Sequence, residues 1–468
     1  MEREEPRGIQ ANTGLYFIGN KCPEGIQRTS IGDLLNYFRD KVICQVDTET
    51  TGYFDHRNRI LTLQIGTTER QFVIELQSLS EKEKKEISDK ILNNPKIIKI
   101  LHNAKFDIKF IWFEGMEICS VYDTMLAECI LNAGRETEEG FYSLGSLAKR
   151  YCNAILNKEV RGQIHREGLS RRVVEYAGND VKYLELIREQ QLQKCIELKL
   201  ASENCQDIYT VVGLENNAVV VFASIEYNGM LLDTRKWEEV REITRTEQDK
   251  ILRELDNLVF EDNRLREFWT IYQDLFTEAE KRVTINWSSP DQKLKLLNKI
   301  GKFESTKQQE LEKKKRDYPI VDKLIKFNKI QKLISSFADP LPKFINKQTN
   351  RIHTEFWQIL STGRVSSSEP NLQQIPARTE LGGKMRECFV APEGYKIVGG
   401  DFSGCELRII AEYSEDPVWL DAFKSGEDLH SKLCSLTFGI PISEVKNPSH
   451  FKPDLKYRDI QKTINFGL

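Results

Sequence analysis

Residues 41–50 read KVICQVDTET, and this stretch decides the fold of the first half of the chain. The run from Val42 to Val46 is mostly apolar and rich in β-branched residues, which predicts a strand, with Asp47 and Glu49 at its end. Side chains alternate along a strand, so two carboxylates spaced two apart project from one face. ILTLQIG at 60–66 and QFVIEL at 71–76 predict the next strands, and KIIKILH at 96–102 a fourth. Helical patterns follow to about residue 200. Strands first and helices after them give an α/β region, a sheet covered by helices. Residues 1–28, with Gly, Pro and mixed charge, read as a lead-in segment.

The chain has 468 residues, too many for one ordinary core, so two or three domains are expected. Hydrophobic residues make up 40% and charged residues 30%, a balance that fits a soluble globular protein and argues against disorder. No run of 18 apolar residues occurs, so no transmembrane helix and no membrane partner are expected. MEREEPRGIQ at the N-terminus fits neither a secretory signal nor an acid-poor transit peptide. The ten cysteines are scattered without a CxxC pair, which points to reduced thiols in a cytosol-like, cytoplasmic compartment. A net charge of −3 does not announce nucleic-acid binding. Residues 293–332, however, carry 13 Lys/Arg against 5 Asp/Glu. Such a stretch can neutralise phosphates, and taken alone it is equally a solvated helical face.

Further acids follow the first pair. Asp107 comes just after the fourth strand, in NAKFDIKF. Tyr176 and Asp180 are four apart in YAGNDVKYL, which predicts a helix with both on one face. Four acids from three elements can converge on two divalent metals, which clamp the attacking and leaving oxygens of a phosphodiester. Hard oxygen ligands suit Mg²⁺ or Mn²⁺, two ions per site, rather than zinc. A tyrosine hydroxyl beside them can orient the attacking water. Singly, each piece is weak, since Asp-x-Glu recurs by chance and Tyr-x-x-x-Asp on a helix is usually a surface pair. The ordered set VDTETTG, HNAKFDIKF, YDTMLAECILN and YAGNDVKYL resembles the DEDDy 3′→5′ exonuclease family over roughly residues 29–205. The resemblance implies an RNase H-like fold with a mixed sheet flanked by helices. It also implies that Asp47, Glu49, Asp107 and Asp180 are metal ligands and that Tyr176 orients the water. Asp123, in YDTMLA, is given a structural role outside that quartet.

Beyond the expected boundary at 205/206, residues 207–280 read as mostly helical, with a turn at Asn228-Gly229. The basic stretch reads as helix broken near Tyr318-Pro319. Strands and loops are expected at 350–376 and 395–400, and helices from 404 onward. INWSSPDQKLKLL at 285–297 reads as a loop and a capped helix. Gly363-Arg364 makes a turn presenting a cation. YKIVGG at 395–400 reads as a strand with Asp401 at its end, where a metal ligand or a plain helix N-cap can stand. His430 alone reads as structural. Arg458, Lys462 and Phe466 recur at four-residue spacing in YRDIQKTINFGL. On a helix they share a slowly rotating face, and two cations with an aromatic suit a triphosphate with a base beyond it.

Together IEYNGMLLD at 225–233, HTEFWQILSTGRVSSSEPNLQQIP at 353–376, YKIVGGDFSGCELRIIAEYS at 395–414, AFKSGEDLHSKL at 422–433 and YRDIQKTINFGL resemble the family A, DNA polymerase I-like enzymes. The resemblance implies a right-hand fold: a mainly α thumb at about 206–345, then the start of an α+β palm and fingers at about 346–468. It implies that the basic stretch grips duplex phosphates, that Arg364 reaches the minor groove at the primer terminus, and that Asp401 holds catalytic metals. It further implies that Glu406 gates the sugar, that His430, Arg458 and Lys462 hold the incoming triphosphate, with Lys462 also serving as proton donor, and that Phe466 packs beside sugar and base. Gly404 and Cys405 stand where the family commonly has Gln and Ile. Primer–template DNA, single-stranded 3′ ends and dNTPs are the implied partners.

The family pattern continues past Leu468 to a His-Asp-Glu motif whose aspartate is the second palm ligand, and these residues do not include it. Polymerisation is therefore expected to need a completing C-terminal fragment, whether through a split gene, an intein or intron, or truncation. Two other readings stay open: a metal-dependent 3′→5′ exonuclease alone, and a non-catalytic primer–template-binding fragment.

Overall fold

The computed structural model describes residues 14–133, 135–156, 168–201, 207–273, 279–377, 379–453 and 455–467. Lead-in residues 1–13 and the expected boundary at 205/206 lie outside the described residues. The chain divides into two compact units, Met1–Gly394 and Tyr395–Leu468, each described by itself.

The first unit is organised by a seven-stranded mixed sheet in the order β2-β1-β5-β4-β3-β6-β7. All four expected strands are present: β3 (Ile43–Thr50), β4 (Ile60–Gly66), β5 (Gln71–Glu75) and β6 (Ile98–Leu101). β3 is central, antiparallel to β4 and parallel to β6, and its Cys44 and Val46 are wholly buried. The β3–β4 register shifts between Glu49 and Thr50, a bulge at the point where the carboxylates project. The lead-in segment supplies two more strands, β1 (Leu15–Ile18) and β2 (Gln27–Arg28). β1 runs parallel to β5, with Leu15, Phe17 and Ile18 buried. β7 (Val121–Asp123) closes the other edge, parallel to β6.

Helices Ala104–Phe113, Arg171–Lys182 and Ile208–Asn228 pack onto this framework. Ser170 caps the second, accepting from the Val173 N–H, and four buried residues of that helix (Val173, Val174, Ala177, Val181) set the face it turns to the sheet. Thus Tyr176 and Asp180 are carried to the end of β3. Helix Ile208–Asn228 is long and apolar enough to cross a membrane by length and composition. Here its Val212, Val219 and Ala223 join the core beneath the sheet.

Farther along, β8 (Met230–Leu232) sits between β11 (Arg351–Ile352) and β14 (Phe389–Val390). Helices Thr234–Glu261, Pro290–Ile300 and Pro319–Leu333 share a core with Leu255, Trp287, Leu296 and Leu324. Pro319 opens its helix at the first position, as the break near Tyr318-Pro319 predicts. The region expected to be mostly helical also contains a hairpin, β9 (Trp269–Tyr272) with β10 (Glu280–Val283), favoured by the aromatic and β-branched run WTIY. A second hairpin pairs β12 (Glu355–Trp357) with β13 (Ser366–Ser368).

The second unit holds helices Cys405–Ser414, Pro417–Ser425, Leu429–Phe438 and Tyr457–Gly467 around two small clusters, Leu407/Ala422/Leu429 and Cys434/Val445/Tyr457. The strand expected at 395–400 is not formed. Those residues pair with no strand among the described residues, and Val398 is 91% exposed. An apolar, β-prone run becomes a strand only where another backbone accepts its hydrogen bonds.

Candidate functional site

Asp47 and Glu49 are alternate residues of β3, and Asp180 lies near the end of helix Arg171–Lys182. One carboxylate oxygen from each lies within 4.8 Å of the others. Glu49 and Asp180 are buried and Asp47 is half-buried. Tyr176, one helical turn before Asp180, hydrogen-bonds its carboxylate. Burial first, then the charge of Asp180, Glu49 and Asp47, pushes the Tyr176 hydroxyl far above its ordinary range, so it stays a protonated donor. Three carboxylates this close, two of them buried, repel one another strongly unless a cation joins them. An all-oxygen, anionic donor set fits a hard divalent ion such as Mg²⁺ or Mn²⁺.

The fourth expected ligand stands apart. Asp107 Oδ1 accepts from the Thr48 hydroxyl at 2.5 Å. Strand alternation puts Thr48 on the opposite face of β3 from Asp47 and Glu49. Asp107 is 2% exposed, and burial pushes its carboxyl up to about 7, with the Thr48 bond opposing and nearby Asp123 adding to the rise. The structure therefore joins three of the four expected carboxylates. Asp123 takes the structural role read from the sequence. It accepts from the Met125 and Leu126 N–H groups at the start of helix Thr124–Leu131. It also accepts from Asn103 and Ala104 N–H at the start of helix Ala104–Phe113. Two residues escape the sequence reading. Thr48 gives its only signal as a hydroxyl between two acids, and Glu226 as an acid inside an apolar helix.

In the first unit, Arg364 is exposed on the segment joining β12 to β13, where the Leu360 N–H donates to the Arg364 carbonyl at 2.9 Å. In the second unit, Asp401 is exposed and lies in no helix or strand. Glu406 sits in the first turn of helix Cys405–Ser414, which Gly404 enters at φ +60°, a left-handed conformation that suits glycine rather than the family's glutamine. Helix Tyr457–Gly467 buries Tyr457, Gln461 and Asn465 and leaves Lys462 and Phe466 exposed. Arg458 donates through Nε and Nη2 to Asp428, at 2.6 and 2.8 Å. Those bonds, and lesser ones from Ser431, hold the Asp428 carboxylate far below its ordinary range. His430 Nδ1 meets Asn465 Nδ2 at 2.9 Å, and its ring lies 5.7 Å from that of Phe466. Burial keeps His430 below its ordinary range, against Asp428 and with Arg458 and Lys462 assisting. The unit thus gathers His430, Arg458, Lys462 and Phe466 around the contact of two helices.

A family model described as DNA polymerase family A matches residues 264–468, and one described as 3′-5′ exonuclease matches residues 30–197. The chain is 31% identical over 410 residues to DNA polymerase I of Synechocystis sp., covering 82% of itself and 36% of that protein. To the thermostable DNA polymerase I of Thermus aquaticus it is 41% identical over 178 residues, 37% of this chain and 20% of that one. To DNA polymerase I of Borreliella burgdorferi it is 28% identical over 456 residues, 94% of this chain and 46% of that one. The chain thus spans less than half the length of these relatives. The solved polymerase domain of Pol1 from M. smegmatis, in complex with DNA primer-template and dNTP, shares its fold, with a TM-score of 0.71 at 24% identity over 97% of this chain and 70% of that one.

Proposed function

We propose that this chain removes nucleotides from DNA 3′ ends at Asp47, Glu49 and Asp180, and supplies the N-terminal part of a family A polymerase site. The observation that carries the first half is the carboxylate trio with the Tyr176 hydroxyl bonded to Asp180. A divalent cation bound there supplies Lewis acidity and an activated water. The chain's own residues do the rest: the three carboxylates hold the ion, and Tyr176 orients the water. A second ion would need Asp107 as a further ligand.

The polymerase half rests on the family A match and the gathered side chains of the second unit. Residues 29–205 are assigned to proofreading and 206–468 to polymerisation. Arg364 meets the primer terminus, Asp401 holds metal, Glu406 excludes a ribose 2′-OH, and His430, Arg458, Lys462 and Phe466 receive the dNTP. Arg458 must leave Asp428 to do so. The work is done in the cytoplasm, for DNA replication or repair. The test is a labelled primer–template with Mg²⁺, with and without all four dNTPs. Shortening of the primer in the absence of dNTPs is expected. An intact primer overturns the exonuclease reading, and a primer that the four dNTPs neither protect nor extend overturns the polymerase half.

A further inference from the structure

Glu226, near the end of the largely apolar helix Ile208–Asn228, is 3% exposed. It joins two parts of the molecule that belong to different expected functions. Its Oε1 accepts from Lys105 Nζ at 2.6 Å and its Oε2 from Lys109 Nζ at 2.7 Å, both lysines lying on the helix that carries Asp107. The same Oε1 accepts from the backbone N–H of Phe356, in β12, at 2.8 Å. Lys105 also donates to the Phe356 carbonyl. Both backbone polar groups of one strand residue are therefore held by an ion pair rooted in other elements.

The hold on β12 is reinforced on either side. Gln358 Nε2 donates to Glu215 Oε2 at 2.6 Å, and the rings of Phe222 and Phe356 lie 5.6 Å apart. Phe356 stands opposite Ser367 of β13, and Arg364 lies on the segment between these strands. In the other direction, Lys105 and Lys109 flank Asp107, which is bonded to Thr48 between the two acids of β3. A buried ion pair with both partners present fixes geometry, and removing one partner is costly. Charged hydrogen bonds to the backbone are short and directional.

We propose that Glu226 and Lys105 form a positioning clamp that holds the β12–β13 hairpin, and with it Arg364, in fixed register with the exonuclease helix Ala104–Phe113. This rests on the reading of the chain as a DNA-binding exonuclease. Neither Glu226 nor Lys105 belongs to the carboxylate group Asp47, Glu49 and Asp180. The clamp sets where a duplex gripped by the hairpin delivers its 3′ end, so it matters for primer–template and not for a free single strand.

Lys105→Met is the first variant, because Lys109 remains to balance Glu226. Glu226→Gln is the second. The substrates are a labelled primer–template with a mismatched 3′ end and the same primer as a free single strand, both with Mg²⁺. The expected result is a KM for primer–template raised roughly tenfold, with cleavage of the free strand within about twofold of the unmodified chain. The double variant should be no worse than the poorer single one, because both break one network. Equal loss on both substrates would make the contact merely structural and overturn the clamp, as would no change on either. An unmodified chain that degrades neither substrate would instead overturn the exonuclease reading itself.

Discussion

At the scale of single residues, the carboxylate trio determines what is tested first. Repulsion among Asp47, Glu49 and Asp180 is relieved by a bound cation, so Mg²⁺ or Mn²⁺ should raise the unfolding temperature as well as start cleavage. Asp47→Ala should abolish that rise and slow 3′→5′ cleavage by at least roughly a hundredfold. A preserved thermal shift by scanning calorimetry would remove Asp47 from the ligand set. Tyr176→Phe should behave differently. It loses the hydroxyl and keeps the carboxylates, so the thermal shift should persist while kcat falls roughly a hundredfold, a size typical of a lost proton-handling group. His56 offers a test by pH. It takes φ +62°, its buried Nε2 has no hydrogen-bond partner among the described residues, and its ring lies 4.6 Å from that of His353. Burial, then the His353 charge, holds it at about 4 rather than 6.5, with Lys109 assisting and the Tyr227 backbone and Asp55 opposing. The unfolded chain therefore takes up a proton first as pH falls. The His56 contribution to stability is whole above pH 6.5 and lost as pH falls through about 4. His56→Phe should flatten the unfolding temperature across that window, and an unchanged slope would place the acid sensitivity elsewhere.

At the scale of elements, capping is the clearest energetic claim. Asp123 holds four backbone N–H groups at the starts of two helices while 2% exposed. Asp123→Ala leaves them buried without acceptors and should cost roughly 2–4 kcal/mol in urea unfolding. A loss under about 0.5 kcal/mol would mean that water replaces the carboxylate. The elements also differ in how far their sequences alone declare them. β3 to β6 are legible because each draws on a mostly apolar run of six or seven residues, rich in β-branched side chains and bounded by turns, KIIKILH at 96–102 for the four-residue β6. The trio is legible in part because the spacing within β3 and within one helix is local information. β1 is not, because LYFI is four residues long in a Gly- and Pro-containing segment, and only its pairing with β5 makes it a strand. The opposite error at 395–400 has the same cause, a β-prone run for which the described structure offers no partner. The bond from Thr48 to Asp107 Oδ1 is not legible, because the order of acids says nothing about a contact across 59 residues. The Glu226 clamp is hidden for a related reason, since its partners lie 121 and 130 residues away.

At the scale of the whole molecule, the distribution of apolar cores argues for separable stability. The core beneath the seven-stranded sheet, the core around Leu255 and Leu296, and that around Trp237 and Phe337 all lie before Gly394. So do the trio, Tyr176 and the clamp. Among the described residues the second unit has only the small clusters around Leu407 and Cys434, and it exposes Ile397, Val398 and Phe402. A small core supports little independent stability, because burial rises with domain size. A chain ending at Gly394 should therefore fold, keep metal-dependent cleavage of single-stranded DNA within about twofold, and unfold within a few degrees of the longer chain. It should also lose any dNTP-dependent protection against proteolysis, because His430, Arg458, Lys462 and Phe466 are gone. Thermal unfolding and a gel assay on the shortened chain decide the matter. Retained cleavage with dNTP protection lost locates the two chemistries in the two units. Loss of cleavage would mean that the second unit supports the exonuclease centre, and the separation argued from the cores would fail.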